Sequence, residues 1–306
     1  MELRHLRYFV KAAELLHFTK AAETLYVSQP SLSAQIHQLE EELGTELFAR
    51  IGRNVRLTEA GKLLLPHARQ AIKEVEQASE EISATTGLLK GNLAIGALPA
   101  HGSKLLPSWI TSFCAKYPNV HIKARSGTTE DIEHGLLNGI FDLGFTTLPI
   151  EHDEIHIQEL FVDHIVLAVA QNHPLAQRQS LSIEELQTIP LALASHRVMW
   201  IRELDKYWAG LGFQPKIVVE YDDGNALTEI VKKGEVGTLL PSMAVHDDTQ
   251  LSILSLPNHD WQVTMAAIWC HLTPAGKAFL DIAAQDMDNK KIVNLKKVTA
   301  KTSSKS

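Results

Sequence analysis

The residues best suited to chemistry stand between positions 19 and 56, and that chemistry is hydrogen bonding to nucleic acid. Placed at 100° per residue on a helix, positions 29–43 put Leu32, Ile36, Leu39 and Leu43 in one narrow stripe. The opposite face carries Pro30, Ala34 and His37, with Ser31, Ser33 and Gln38 on its flanks and no acid before Glu40. Small, neutral, hydrogen-bonding side chains suit insertion into a major groove, and Gln29 at the leading end can hold an adenine through two hydrogen bonds. The same residues also suit a solvated helix face. Arg50 precedes and Arg53 sits within a tip at Gly52 to Asn54, where arginines enter a minor groove or grip phosphate, and Arg56 does the same or is simply solvated.

Catalytic chemistry finds no comparable support. The chain contains no G-x-S-x-G, H-E-x-x-H, G-x-x-x-x-G-K-[ST] or G-x-G-x-x-G, so hydrolase, zincin, P-loop and dinucleotide readings lack a motif, and no enzyme is expected. Among 15 histidines, His152 and His156 are the most metal-like pair, yet they alternate with Ile155 and Ile157 as solvent-facing strand positions do. Cys114 and Cys270 have no C-x-x-C partner, so neither a disulfide framework nor a zinc site is expected. Both read as ordinary buried thiols, with redox sensing the alternative. No metal and no cofactor is called for.

The elements that must hold the DNA-facing groups read as short helices. Leu6, Phe9, Val10 and Ala13 recur at helical spacing, His17-Phe18 breaks the pattern, and Thr19 stands where an N-cap belongs. A second helix is predicted from 19 to about 25, with Lys20 ahead of an Ala21-Ala22 pair small enough for close helix approach. Tyr26-Val27-Ser28 makes the turn, Ser28 caps the third helix, and Pro30 sits in its first turn, where a missing N–H costs little. Residues 47–58 read as a β-hairpin wing. From 58 to about 86 a long polar helix follows, in which Leu64, Ala68, Ala71, Val75, Ala78, Ile82, Thr85 and Leu89 form a narrow a/d seam. So thin a stripe packs against a partner chain or lies on its own domain. Pro66 is expected to kink this helix or delay its start.

Beyond residue 91 the period changes. Strand patterns at 92–97, 120–125, 142–146, 166–170, 190–194, 217–221 and 263–269 alternate with helical ones at 104–117, 129–138, 198–210, 226–233 and 274–287. Alternation of this kind argues for parallel α/β layers. A length of 306 residues predicts two or three domains. The net charge of -7 divides unevenly: residues 1–73 hold ten Lys/Arg against eight Asp/Glu, and residues 74–288 hold 13 against 28. Residues 289–306 add six lysines and no acid. Phosphates would repel such an acidic body while the first segment approaches them. With no secretory signal and no apolar run near the roughly 20 residues of a membrane span, a cytoplasmic location and no membrane contact are expected.

The run F-T-K-A-A-E-T-L-Y-V-S-Q-P-S-L-S-A-Q-I-H-Q-L-E-E-E-L-G-T-E-L-F-A-R, followed by G-R-N-V-R-L-T-E-A-G, resembles the N-terminal signature of LysR-type transcriptional regulators. G-N-L-A-I-G-A-L-P, L-L-P-S-W-I, F-C-A-K-Y-P-N-V and N-G-I-F-D-L-G-F are similar to the start of the family's effector domain, and the likeness weakens after about residue 270. The resemblance implies an α/β chain overall: an all-α winged helix-turn-helix at 1–58, a dimerising linker helix at 59–90, and a two-lobed effector domain of periplasmic-binding-protein type at 91–290. Lobe I takes about 91–162 and 267–290, lobe II takes about 163–266, hinges fall near 162–164 and 265–268, and the basic tail at 291–306 is expected to be disordered.

Mapped on that pattern, the expected DNA contacts are Thr19, Lys20, Ser28, Gln29, Pro30, Ser31, Ser33, Ala34, His37, Arg50 and Arg53. The expected effector contacts line the cleft between lobes: Pro99, Ala100, His101, Ser103, Thr128, Thr129, Thr146, Ser195, His196, Arg202 and Asn225. Ser103, Thr129 and Asn225 serve equally well as N-caps. Arg202 is the best-placed cation for a ligand carboxylate, which points to an anionic metabolite, and His101 and His196 either make the pocket pH-sensitive or merely line it. The implied partners are double-stranded operator DNA in inverted repeats, the effector, a second copy through the linker helix, a tetramer built from dimers, and RNA polymerase. Activation and repression both remain open. The competing reading is a small-molecule-binding protein without sequence-specific DNA readout, related to solute-binding proteins.

Overall fold

The computed structural model describes residues 1–51, 54–84, 89–195, 198–246, 248–256 and 261–303. Helix α1 (Leu3–Leu15) turns His5, Leu6, Phe9, Ala12 and Ala13 inward. Helix α2 (Phe18–Thr24) begins one residue earlier than its sequence suggests, because His17 rather than Thr19 is the cap and its Nδ1 accepts from the Lys20 N–H at 3.3 Å. Phe18 is thereby drawn into the helix, where its ring meets Phe48 edge-on at 5.2 Å. Ser28 caps α3 (Gln29–Leu43) as expected, its hydroxyl accepting from Ser31 N. Leu32, Ile36 and Leu39 are fully buried against α1 and the Ala21-Ala22 pair, whereas Leu43 is 41% exposed because the helix outruns its neighbours there.

Strands β1 (Phe48–Ile51) and β2 (Asn54–Leu57) pair antiparallel from Phe48↔Leu57 to Ile51↔Asn54, giving the wing. Glu40 of α3 fixes its base by accepting from Leu47 N at 2.8 Å and Phe48 N at 3.3 Å. Helix α4 (Glu59–Ala84) starts without delay and runs through Pro66. Gly61 is required by contact, since a Cβ there would lie 2.2 Å from the Leu47 carbonyl. The seam divides in two. Leu64, Ala68 and Ala71 pack into the core of their own head, while Val75, Ala78 and Ile82 are exposed. Thr85 lies outside the described residues and Leu89 beyond the helix, packed on the next domain.

The remaining chain builds two layered units joined by long strands. In the first, β3 (Gly91–Ala97) lies parallel between β4 (Val120–Ser126) and β5 (Leu143–Thr147), with α5 (Pro99–Lys116) and α6 (Thr129–Leu137) as the crossovers. Strand β6 (His156–Ala170) is far longer than the segment expected from sequence. Its first half pairs with β11 (Gln262–Trp269) and its second with β9 (Thr238–Pro241) and β10 (Leu251–Leu254), so one strand belongs to both units. Its start at His156 and Ile157 matches the alternating strand positions expected there, while the polar run through Glu159 and Asp163 hid its continuity with the segment at 166–170. In the second unit, β7 (Pro190–Leu193) and β8 (Lys216–Glu220) are parallel. They are accompanied by α7 (Ile183–Leu186), α8 (Met199–Leu211), α9 (Gly224–Lys233) and α10 (Ser242–Val245). Separate cores around Trp109, Phe113, Phe145 and Phe279, and around Leu167, Leu191 and Trp208, mark the two units.

Helix α11 (Pro274–Ser303) closes the described chain, and 304–306 lie outside the described residues. Two other expectations are corrected. Cys114 is exposed on α5 instead of buried, since it falls on that helix's outer face, and Cys270 is half-buried. His152 sits before β6, off any strand, with Nε2 3.4 Å from a Glu133 carboxylate oxygen.

Candidate DNA-reading face and effector cleft

The outer face of α3 is built by what lies beneath it. With Leu32, Ile36 and Leu39 committed inward, Gln29, Pro30, Ser31, Ala34 and His37 are exposed together, and Ser33 is half-buried. Thr19, Lys20 and Ser28 are exposed on the adjoining turn and helix. Gln29 Nε2 donates to Ser33 Oγ at 2.8 Å, a solvent-exposed contact that exchange with a base edge can replace at small cost. His37 leans toward Glu41, with Nε2 3.5 Å from its carboxylate, which draws that ring toward the helix's acidic end. Arg50 is placed in β1 by its backbone alone, and Arg53 lies outside the described residues. Tyr26, which sequence reasoning used only as a turn residue, is 97% exposed and holds φ 55°, the left-handed region that side chains disfavour.

The second site forms where strand ends and helix starts converge. Leu98 N donates to Phe145 O and Gly127 N to Ala97 O, which brings the starts of α5 and α6 to the carboxyl ends of β3 and β5. Pro99 opens α5 and Ser103 is exposed on it, while the side chains of Ala100 and His101 lie outside the description. Thr128 is the N-cap of α6 and exchanges hydrogen bonds with Asp131 in a capping box. Thr129 and Thr146 are buried, and their hydroxyls share a hydrogen bond of 2.9 Å. Ser103, Thr129 and Asn225 are not N-caps; Leu98, Thr128 and Asp223 hold those positions.

The second unit repeats the arrangement. Tyr221 N donates to Leu193 O, Ser195 N to Asp222 Oδ1, and Asp223 caps α9 through Asn225 N at 2.8 Å. His196 lies outside the described residues. Arg202, in the first half of α8, joins the units: its Nη2 donates to Glu130 Oε1 of α6 at 3.1 Å. Glu130 was missed by sequence reasoning. An acid before a helix signals a cap, as at Asp223, but nothing local announces that Glu130 faces a cation 72 positions away.

Among the described residues no group of three or more His, Cys, Asp or Glu could hold a metal. Burial pushes the Glu133 carboxyl above its ordinary value, with His152 and His134 acting in opposition. The Cys270 thiol is likewise raised by burial, which makes it a poorer nucleophile.

A helix-turn-helix with an exposed polar reading face, joined to a two-unit binding domain, defines a ligand-responsive DNA-binding regulator. The comparisons agree. The lysR-family model for bacterial regulatory helix-turn-helix proteins matches residues 3–62, and the LysR substrate binding domain model matches residues 86–288. The chain belongs to the LysR family of transcriptional regulators, with a DNA-binding head and an effector-binding domain. It is 36% identical over 246 residues to the HTH-type transcriptional regulator AlsR of Bacillus subtilis (strain 168), covering 80% of this chain and 82% of that one. The structure of a full-length OxyR variant from Pseudomonas aeruginosa superposes with TM-score 0.75 at 25% identity, covering 94% of each chain. Full-length CbnR complexed with its target DNA has the same fold at TM-score 0.67 and 23% identity, covering 93% of this chain and 99% of that one.

Proposed function

We propose that α3 reads an inverted-repeat operator through Gln29, Ser31, Ser33, Ala34 and His37, with Thr19, Lys20 and Ser28 and the wing arginines on the phosphates. The observation that carries this reading is the exposure of Gln29, Pro30, Ser31, Ala34 and His37 together over a fully buried Leu32, Ile36 and Leu39. The exposed Val75, Ala78 and Ile82 on α4 supply the seam for a second copy, and a tetramer follows from pairing such dimers. The domain partition is 1–58, 59–90 and 91–290, and the chain acts in the cytoplasm as a regulator without catalytic activity. Among the described residues no helix is long and apolar enough to cross a membrane.

The effector binds between the two units, against Thr129, Thr146, Ser195 and Arg202. It is an anionic metabolite whose carboxylate takes the guanidinium that Glu130 holds in its absence. Binding therefore exchanges one inter-unit ion pair for another, and the difference in affinity between the two arrangements is what moves the DNA-binding heads. A mobility-shift titration of the promoter fragment, with and without a panel of carboxylate metabolites, tests both parts. A sequence-specific complex whose mobility an effector changes in the parent chain and not in Arg202→Ala supports the reading. Absence of any sequence-specific complex at moderate salt contradicts it.

A further inference from the structure

We propose that the cleft where α1, α4 and the first effector unit meet is a second ligand site, built for a compact anion carrying two or more negative charges. The cleft encloses about 690 Å³, within the range of metabolite pockets, and is distinct from the space between the two effector units. Its lining includes five cationic side chains and three carboxylates. All three carboxylates are engaged at short range: Glu14 by Lys11 at 2.6 Å, Asp142 by Lys73 at 2.8 Å, and Glu76 by Arg7 at 3.3 Å.

Two cations are left over, and a third shares a carboxylate that is already engaged. Arg69 is half-buried, and its nearest carboxylate among the described residues is the already engaged Glu14, at 3.8 Å. Lys123 and Arg125 form no ion pair with any described residue. They stand opposite Ala94 and Gly96 on edge strand β4, two positions apart and so on one face of the sheet. Desolvation lowers the Arg69 pKa, the direction expected where the charged form lacks full compensation.

The placement matters because residues 74–288 carry 28 acids against 13 bases. A domain so acidic that nevertheless sets Lys123 and Arg125 into the wall of the cleft that Arg69 also lines concentrates positive potential there. A tricarboxylate or a diphosphate supplies the missing charge, and Arg69 and Arg125 offer planar forks that match either group. The walls come from the reading head, the linker helix and the effector domain. An anion seated there ties the three together, and by linkage its affinity and that of the operator depend on one another.

The test is isothermal titration of citrate, and separately of pyrophosphate, into the full-length protein at low ionic strength. The expected result is a saturable event of one anion per chain with at least one probe. That event persists in Arg202→Ala and weakens at least tenfold in the Lys123→Ser/Arg125→Ser double variant. Both substituted side chains are exposed, and an unchanged Tm without ligand verifies that the double variant is folded. Absence of saturable heat with either anion overturns the proposal, as does unaltered affinity in the double variant. Loss in Arg202→Ala with retention in the double variant assigns the anion to the other cleft and overturns it equally, leaving the effector reading intact.

Discussion

The reading head and the effector domain treat their polar groups in opposite ways. On α3 the groups proposed to meet DNA are exposed, apart from a half-buried Ser33, and the contacts among them, Gln29 to Ser33 and Ser31 to Ser28, lie at the surface. In the effector domain the corresponding groups are already partnered: Thr128 with Asp131, Thr129 with Thr146, Arg202 with Glu130. On the proposed sites, the head would bind with little rearrangement, whereas the effector domain would bind by exchanging partners. Exchange is what a sensor needs, because a ligand shifts an equilibrium only through its differential affinity for two states. In the head, small residues at Ala12, Ala21 and Ala22 let three helices close on Phe9 and Leu32.

The largest expected effect lies at the joint between the two. Lys73 Nζ meets Asp142 Oδ1 and the Phe141 carbonyl, each at 2.8 Å, and both charged side chains are mostly buried. Removing one partner of such a pair typically costs about 3–5 kcal/mol. Lys73→Met is thus expected to lower the melting temperature by several degrees and to separate the unfolding of head and effector domain in calorimetry. A single transition at the parent temperature would show that the joint is not what couples them.

A smaller effect, of opposite sign, is expected in the head. Tyr26 holds a left-handed backbone that costs an L-residue roughly 1–2 kcal/mol. Tyr26→Gly should raise the head's stability by about 1 kcal/mol or less, since glycine's greater unfolded freedom offsets part of the gain. Denaturant titration checks this, and a loss of stability would place Tyr26 in a packing role.

The smallest effect belongs to Glu133. Burial holds its carboxyl above the ordinary 4.5, so the folded chain binds that proton more tightly than the unfolded chain. Its contribution is full below pH 4.5 and lost as pH rises through the raised value. Glu133→Gln should therefore raise the melting temperature at pH 7 by on the order of 1–2 °C and leave it unchanged near pH 4. A fall at pH 7 would show that the His152 contact outweighs desolvation.

The same contrast governs what the sequence reveals. Helical periodicity is local, so the buried stripe of Leu32, Ile36 and Leu39 and the face opposite it were legible in fifteen residues. The cap of α2 was misplaced by two residues because a histidine ring nitrogen, outside the usual set of capping side chains, took that role. In the effector domain the strand and helix alternation was legible, but contacts set by topology were not. Glu130 meets Arg202 only because α6 and α8 begin at facing strand ends, and the polar run through Glu159 and Asp163 hides that His156–Ala170 is one strand. Leu43 and the outer half of the α4 seam show the complementary limit: periodicity marks an apolar side chain without saying whether its own chain covers it.

The central claim is base readout by α3, and fluorescence anisotropy with the cognate operator and a scrambled duplex of equal length tests it most directly. Gln29→Ala should weaken cognate binding by about 1–3 kcal/mol and leave scrambled binding unchanged, while Lys20→Ala should weaken both and reduce the salt slope by about one. Equal losses on the two duplexes for Gln29→Ala would contradict the account.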